Sequence, residues 1–396
     1  MVLRNSRYLP IFISFVSVSI LYVLAYRWLN GVITKESIVH HFYILATGLL
    51  FQSFLANDYL KIVGILQTNK PNKDVITKIF SKAVYCSILI FIIINIYNII
   101  LHRNLCFLSY SFYFSTIFYT QFLRGYYEGI NNYWLANYVR TIPYISFLTT
   151  PLFIQINLTE LSSLICFILI ILQSYKYFYK YKLCEFKYDI IIEKNTVNAF
   201  SNQGHNYLER YNVHNMGESG LINSFIMDTV GRVVTLYNLL YSGCSKYLYQ
   251  AYENNSAKIT TFVFIVFLSF LILKNLLIYY SADVFIFLKF QDNINPQVLF
   301  LYLCTFYYMS IRVLLLRLLI LKGNITLTNK LNLVCISIFT ILYVASSGYS
   351  NWINIGLTFL FREIILTIIN IYTLELNSRL KFSLIVFITI SSFILL

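Results

Sequence analysis

Charge is scarce in this chain. Lys, Arg, Asp and Glu make up 12% of its 396 residues, about half the share of a soluble domain. Acids are scarcer still, 16 against 30 Lys and Arg. With 13 glycines there is no Walker loop, no G-x-S-x-G and no G-x-G-x-x-G, which removes the usual phosphate cradles and the serine-hydrolase elbow. The seven cysteines, Cys86, Cys106, Cys166, Cys184, Cys244, Cys304 and Cys335, never come closer than 18 residues, so no C-x-x-C metal or redox pair exists. Most fall in apolar runs and read as small core residues. Five prolines leave long stretches without a helix breaker.

What the chain has is apolar length. Hydrophobic residues make up 58%, in runs such as 88–96 and 261–273. Crossing a hydrocarbon core takes about 20 mostly apolar residues as a helix. Backbone groups in lipid must bond within the segment or within a closed barrel. Barrel strands alternate apolar and polar residues, and these runs do not. The expected fold is therefore an all-α integral membrane protein. Spans are predicted near 9–30, 39–66, 80–101, 105–123, 132–156, 158–175, 195–216, 219–247, 257–281, 297–320, 328–348 and 351–374. A last run, 382–396, is short for a full crossing. Arg4 and Arg7 precede the run that begins at Leu9, but no A-x-A site follows, so it reads as an uncleaved first span.

Cation placement gives orientation. With the N-terminus cytoplasmic, the inner side gathers Arg4, Arg7, Lys70, Lys73, Lys78, Lys82, Arg124, the cluster Lys176, Lys180, Lys182, Lys187 and Lys194, and six later cations, eighteen in all. The outer loops hold three, Lys35, Arg103 and Lys289. The net charge of +14 is explained by this asymmetry, and nucleic acid is not an expected partner. Segment 195–216 is too polar to face lipid, yet the asymmetry reverses for the later loops unless it crosses, so it is expected to be a shielded helix on a wet cavity. The resulting organisation is an N-terminal six-helix bundle (1–180), a cytoplasmic basic linker (181–194), a C-terminal six-helix bundle (195–375) and a tail with a short apolar segment (376–396). A weak echo supports repeated halves: Arg124 to Gly129 and Asn131 ends the fourth span of the first half, and Arg317 to Lys322, Gly323 and Asn324 that of the second.

Ionisable residues inside spans are costly and so are candidates for function. They are Arg27, Asp58, Lys61, Arg140, Glu209, Arg210, Asp228, Arg232, Lys274, Arg312, Arg362 and Glu363, eight cations and four acids. Spacing predicts that Asp58 pairs with Lys61 and Asp228 with Arg232. Arg362 and Glu363 are adjacent and are expected to point apart. The cation surplus calls for an anionic partner such as a phosphate-bearing ligand. No catalytic arrangement is visible. His205 and Glu209 share a face but His214 lies opposite, so no metal site is expected.

Tyr207-Leu208-Glu209-Arg210-Tyr211, then Gly217-Glu218-Ser219-Gly220-Leu221-Ile222-Asn223-Ser224, then Asp228 and Arg232, resemble helices seven and eight of the multidrug/oligosaccharidyl-lipid/polysaccharide exporter superfamily, closest in pattern to its lipid II flippases and O-antigen flippases. Arg27 near the end of the first span and the Arg–Gly pattern of 315–323 fit the same layout. The chain departs in having Thr229 after Asp228, with Arg232 a turn later, and about twelve spans instead of fourteen. The resemblance implies two six-helix bundles forming a V whose cleft opens alternately to either side, with Arg27, Asp58, Glu209, Arg210, Asp228 and Arg232 binding substrate. It implies a flippase of the bacterial cytoplasmic membrane, not an enzyme, that moves a polyprenyl-diphosphate-linked glycan among membrane lipids. H+ or Na+ is the possible coupling ion, there is no other cofactor, and other envelope-glycan assembly proteins are possible partners. The alternatives are a multidrug exporter of the same fold and a membrane-embedded envelope-glycan enzyme, an O-antigen polymerase or acyltransferase.

Overall fold

The computed structural model describes residues 8–32, 34–52, 72–102, 108–154, 220–243, 257–280, 296–321, 325–346, 352–374 and 378–395, with isolated positions between them that include Asp58, Tyr177, Lys180, Cys184 and Arg210. Among the described residues every long element is a helix: α1 (Tyr8–Leu29), α2 (Lys35–Gln52), α3 (Lys73–His102), α4 (Leu108–Gly129), α5 (Tyr133–Ile154), α6 (Gly220–Gly243), α7 (Ala257–Tyr279), α8 (Pro296–Leu321), α9 (Ile325–Ser346), α10 (Trp352–Thr373) and α11 (Ser378–Leu395).

Six of these, α1, α3, α7, α8, α10 and α11, are long and apolar enough to cross a membrane. Their outward faces say the same. On α3, Ile88, Ile92, Ile96 and Ile100 are exposed at helical spacing, and on α7 so are Phe264, Leu268, Ile272 and Leu276. Continuous bare faces of this kind are stable against lipid and not against water. The protein is an all-helical, membrane-embedded protein. The other five helices carry more polar residues and satisfy many of them internally. Thr116 and Thr120 donate to the carbonyls of Tyr113 and Ile117, each at 2.7 Å, as an apolar surround demands.

The chain divides into two compact units, one of Met1–Ile33 with His40–Tyr207, the other of Thr34–Val39 with Leu208–Leu396. In the first unit α1 packs on α5, α5 on α4 and α4 on α3. Small residues let α3 and α4 approach closely: Ser87 Oγ donates to the Ser115 carbonyl at 2.9 Å and Ser115 Oγ returns a bond to the Ser87 carbonyl at 3.1 Å. Tyr26 stacks on Phe42 at 4.0 Å, fastening α1 to α2. The expected 105–123 span runs on to Gly129, because Arg124 reaches Glu128 one turn later at 3.2 Å and holds the last turn. Asn131, in the left-handed region at φ 61°, then closes the helix, with the Asn132 N–H bonded back to the Tyr127 carbonyl at 2.8 Å. Asn132 Oδ1 in turn caps α5 by accepting from the Leu135 N–H at 3.2 Å.

In the second unit α8 is the central helix, touching α6, α7, α9, α10 and α11. Six consecutive residues, Leu301, Tyr302, Leu303, Cys304, Thr305 and Phe306, are buried, so its whole circumference is covered there, which is why an all-round apolar sequence suits it. The final run differs from expectation. It is no short tail but an 18-residue helix, α11, beginning at Ser378. Three polar contacts key it to α8: Tyr307 Oη with Ser391 Oγ at 2.9 Å, Tyr308 Oη to Ser392 Oγ at 3.2 Å and Cys304 Sγ to the Ser392 carbonyl at 3.3 Å. Lys274 Nζ donates to the Ile394 carbonyl at 2.9 Å and closes its C-terminal end. Serines too polar to raise the hydropathy of 382–396 are the residues that dock it.

Candidate functional site

The residues singled out in sequence fall into separate settings. Arg27 lies in the last turn of α1 and is exposed, where a cation complements the helix dipole. Asp58 is deeply buried, and its ion pair is with Lys82 of α3 at 2.7 Å, each side chain 3% exposed. This corrects one expectation. Lys82 is not a cytoplasmic loop cation, because α3 starts seven residues before the predicted span, at Lys73 with its N-cap Asn72. Lys61, the partner that spacing offered for Asp58, lies outside the described residues, as does Glu209.

Arg210 and Asp228 form the best-defined part of the predicted constellation. Arg210 Nη2 donates to Asp228 Oδ1, and its Nη1 donates to the Ser224 Oγ at 3.2 Å and to the Ser224 carbonyl at 3.4 Å. Ser224 and Asp228 are one turn apart on α6, so a single guanidinium fork spans both. This contact crosses a turn, which spacing along one helix does not reveal. Arg232, a further turn along, is half-buried.

The turn between Arg210 and α6 rests on two glycines. Gly217 adopts φ 60°, and Gly220 opens α6 directly against the preceding segment. A Cβ at Gly220 would lie 2.2 Å from the Val213 carbonyl oxygen, a backbone atom that cannot rotate away. At Gly217 a Cβ would meet nothing within 4 Å; there only the left-handed conformation costs, about 1–2 kcal/mol. Gly220→Ala is therefore expected to be the worse change. It should destabilise the purified protein by about 1–3 kcal/mol through overpacking and pull Arg210 from Asp228, whereas Gly217→Ala stays near 1 kcal/mol. Thermal unfolding of the two variants side by side checks the order.

Arg312, Arg362 and Glu363, named singly in the sequence, form a third charged group. Arg312 Nε donates to Glu363 Oε2 at 2.7 Å, and Arg362 donates to Glu363 Oε1 through Nη2 at 2.8 Å and Nε at 3.2 Å. Adjacent residues on a helix were expected to point apart. The Arg362 side chain is long enough to fold back, and with both residues fully buried there is no water to prefer. Among the described residues no group of three His, Cys, Asp or Glu could hold a metal ion. His205 and Glu209 lie outside them.

No protein-family model, no curated protein and no solved structure matches the chain.

Proposed function

We propose that this protein is a flippase of the bacterial cytoplasmic membrane that carries a polyprenyl-diphosphate-linked glycan, a lipid II or O-antigen type unit, across the bilayer by alternating access, without a chemical step. On this reading twelve spans form two six-helix bundles with a V-shaped cleft and a cytoplasmic N-terminus, as in the multidrug/oligosaccharidyl-lipid/polysaccharide exporters. The observation that carries it is the pattern 207–232, whose turn is built on Gly217 and Gly220 and whose Arg210 ties Ser224 and Asp228 together. With Arg210 engaged by protein acceptors, its role is positioning, and Arg232 is the residue we assign to the diphosphate. A guanidinium meets two phosphate oxygens at once, while the lipid tail stays in the bilayer and the sugars need a polar lining. A cation-rich interior favours such a substrate over the cationic drugs of a multidrug exporter.

Cells lacking the protein are expected to accumulate one polyprenyl-linked glycan on the inner leaflet, measured by extraction and mass analysis of lipid-linked intermediates. A normal lipid profile with altered drug susceptibility would instead establish the exporter reading. Accumulation of unpolymerised or unacylated glycan on the outer leaflet would establish an enzyme.

A further inference from the structure

Within the second unit, α10 presents a buried polar strip to its neighbours: Glu363, Thr367 and Asn370, spaced along one face and no more than 1% exposed. α8 packs on this helix and supplies Arg312. Two guanidiniums therefore share one carboxylate. Arginine does not give up its proton in a protein, so the cluster carries one surplus positive charge. Among the described residues of the helices packed around it, no unengaged acid neutralises it. The helices packed on α8 and α10 contain one further acid, Asp228, and its carboxylate holds Arg210. Arg362 also has a spare donor in a defined direction. Its Nε and Nη2 are spent on Glu363, and one plane is covered by the Phe359 ring, 4.1 Å from Cζ. Nη1 is buried with no protein hydrogen-bond partner. A buried charge left in this condition at the middle of an apolar helix is expensive, and an unpaired buried donor calls for a ligand.

We infer that the Arg312–Glu363–Arg362 cluster holds one small monovalent inorganic anion, of the halide class, at Arg362 Nη1. The charge selects one negative unit, not the two or more of a diphosphate. The full burial of Arg362 and Glu363 selects a bare ion over a headgroup. The site shares no residue with the Arg210–Asp228 pair and does not depend on what the protein transports. It neutralises the surplus charge so that α8 and α10 remain packed.

The full chain, purified in detergent, tests this by thermal unfolding while chloride replaces gluconate at constant ionic strength, with sulfate as a dianion control. Chloride is expected to raise the unfolding temperature saturably, by about 2 °C or more, and sulfate is not. Arg362→Gln removes the surplus charge and the spare donor together, so its unfolding temperature should be the same in chloride and gluconate. Glu363→Gln raises the surplus to two and should saturate at about tenfold lower chloride. The inference is overturned if the parent protein unfolds at one temperature in all three salts, or if Arg362→Gln keeps the chloride response with its midpoint unchanged. Where Arg362→Gln does not fold, an unchanged midpoint in Glu363→Gln overturns it equally.

Discussion

Replacing Arg232 by Ala is expected to abolish glycan translocation, by about 100-fold or more, while the protein still inserts and unfolds at close to its normal temperature. The size follows from losing two charge-assisted hydrogen bonds to a diphosphate, each of about 1.5–3 kcal/mol. Normal insertion is expected because the Asp228 carboxylate has a second cation. Asp228 keeps the Arg210 guanidinium when Arg232 is removed. Arg232→Lys should restore part of the rate, since a single ammonium keeps the charge but lacks the planar fork. Arg210→Ala separates the two roles. It should lower both transport and thermal stability, because it leaves Asp228 without that cation and frees the 210–220 turn from Ser224. Flipping of a labelled lipid-linked glycan in proteoliposomes, read beside thermal unfolding, measures both. Normal transport by Arg232→Ala would remove that residue from the substrate site.

How far the sequence carries depends on what kind of information each feature needs. Apolar length is local, and helices defined by it were legible to within a few residues: 257–281 became Ala257–Tyr279, 297–320 became Pro296–Leu321 and 351–374 became Trp352–Thr373. Ends set by polar residues were less legible. The first turns of α3 read as loop because Lys73, Lys78 and Lys82 lower its hydropathy, yet Asn72 caps the helix and Lys82 is used inside it. α11 was discounted because Ser378, Arg379, Lys381, Ser391 and Ser392 weaken its apolar run, although Ser391 and Ser392 are its docking contacts on Tyr307 and Tyr308. Ion-pair partners were the least legible. Intramembrane charges could be named from sequence, but which acid meets which base is decided by packing between helices. Spacing rules reach only i, i+3 and i, i+4 neighbours. Asp58 with Lys82, Arg210 with Asp228 and Arg312 with Glu363 are all tertiary pairs.

The Asp58–Lys82 pair sets the largest expected effect on stability. Both side chains are 3% exposed and 2.7 Å apart, with Cys86 one turn along α3 and also buried. Neither charge can recover its hydration without unfolding the unit. Lys82→Met removes the ammonium that Asp58 meets at 2.7 Å, and Asp58→Leu leaves that ammonium without this carboxylate. Each single change is expected to cost about 3–5 kcal/mol, the range for breaking a buried ion pair by removing one partner. The double change Asp58→Leu with Lys82→Met replaces two desolvated ions by apolar groups and should recover most of that loss, or exceed the parent, since a buried ion pair contributes little net stability over a well-packed apolar pair. Thermal unfolding of the four proteins gives the coupling energy directly. Transport by the double variant then assigns the pair. If the restored protein flips its glycan at the parent rate, Asp58 is a packing residue and leaves the substrate-binding set. If it is stable and inactive, the charge of Asp58 is used during the cycle. Additive losses in the double variant would mean that the two side chains do not sense each other in the membrane.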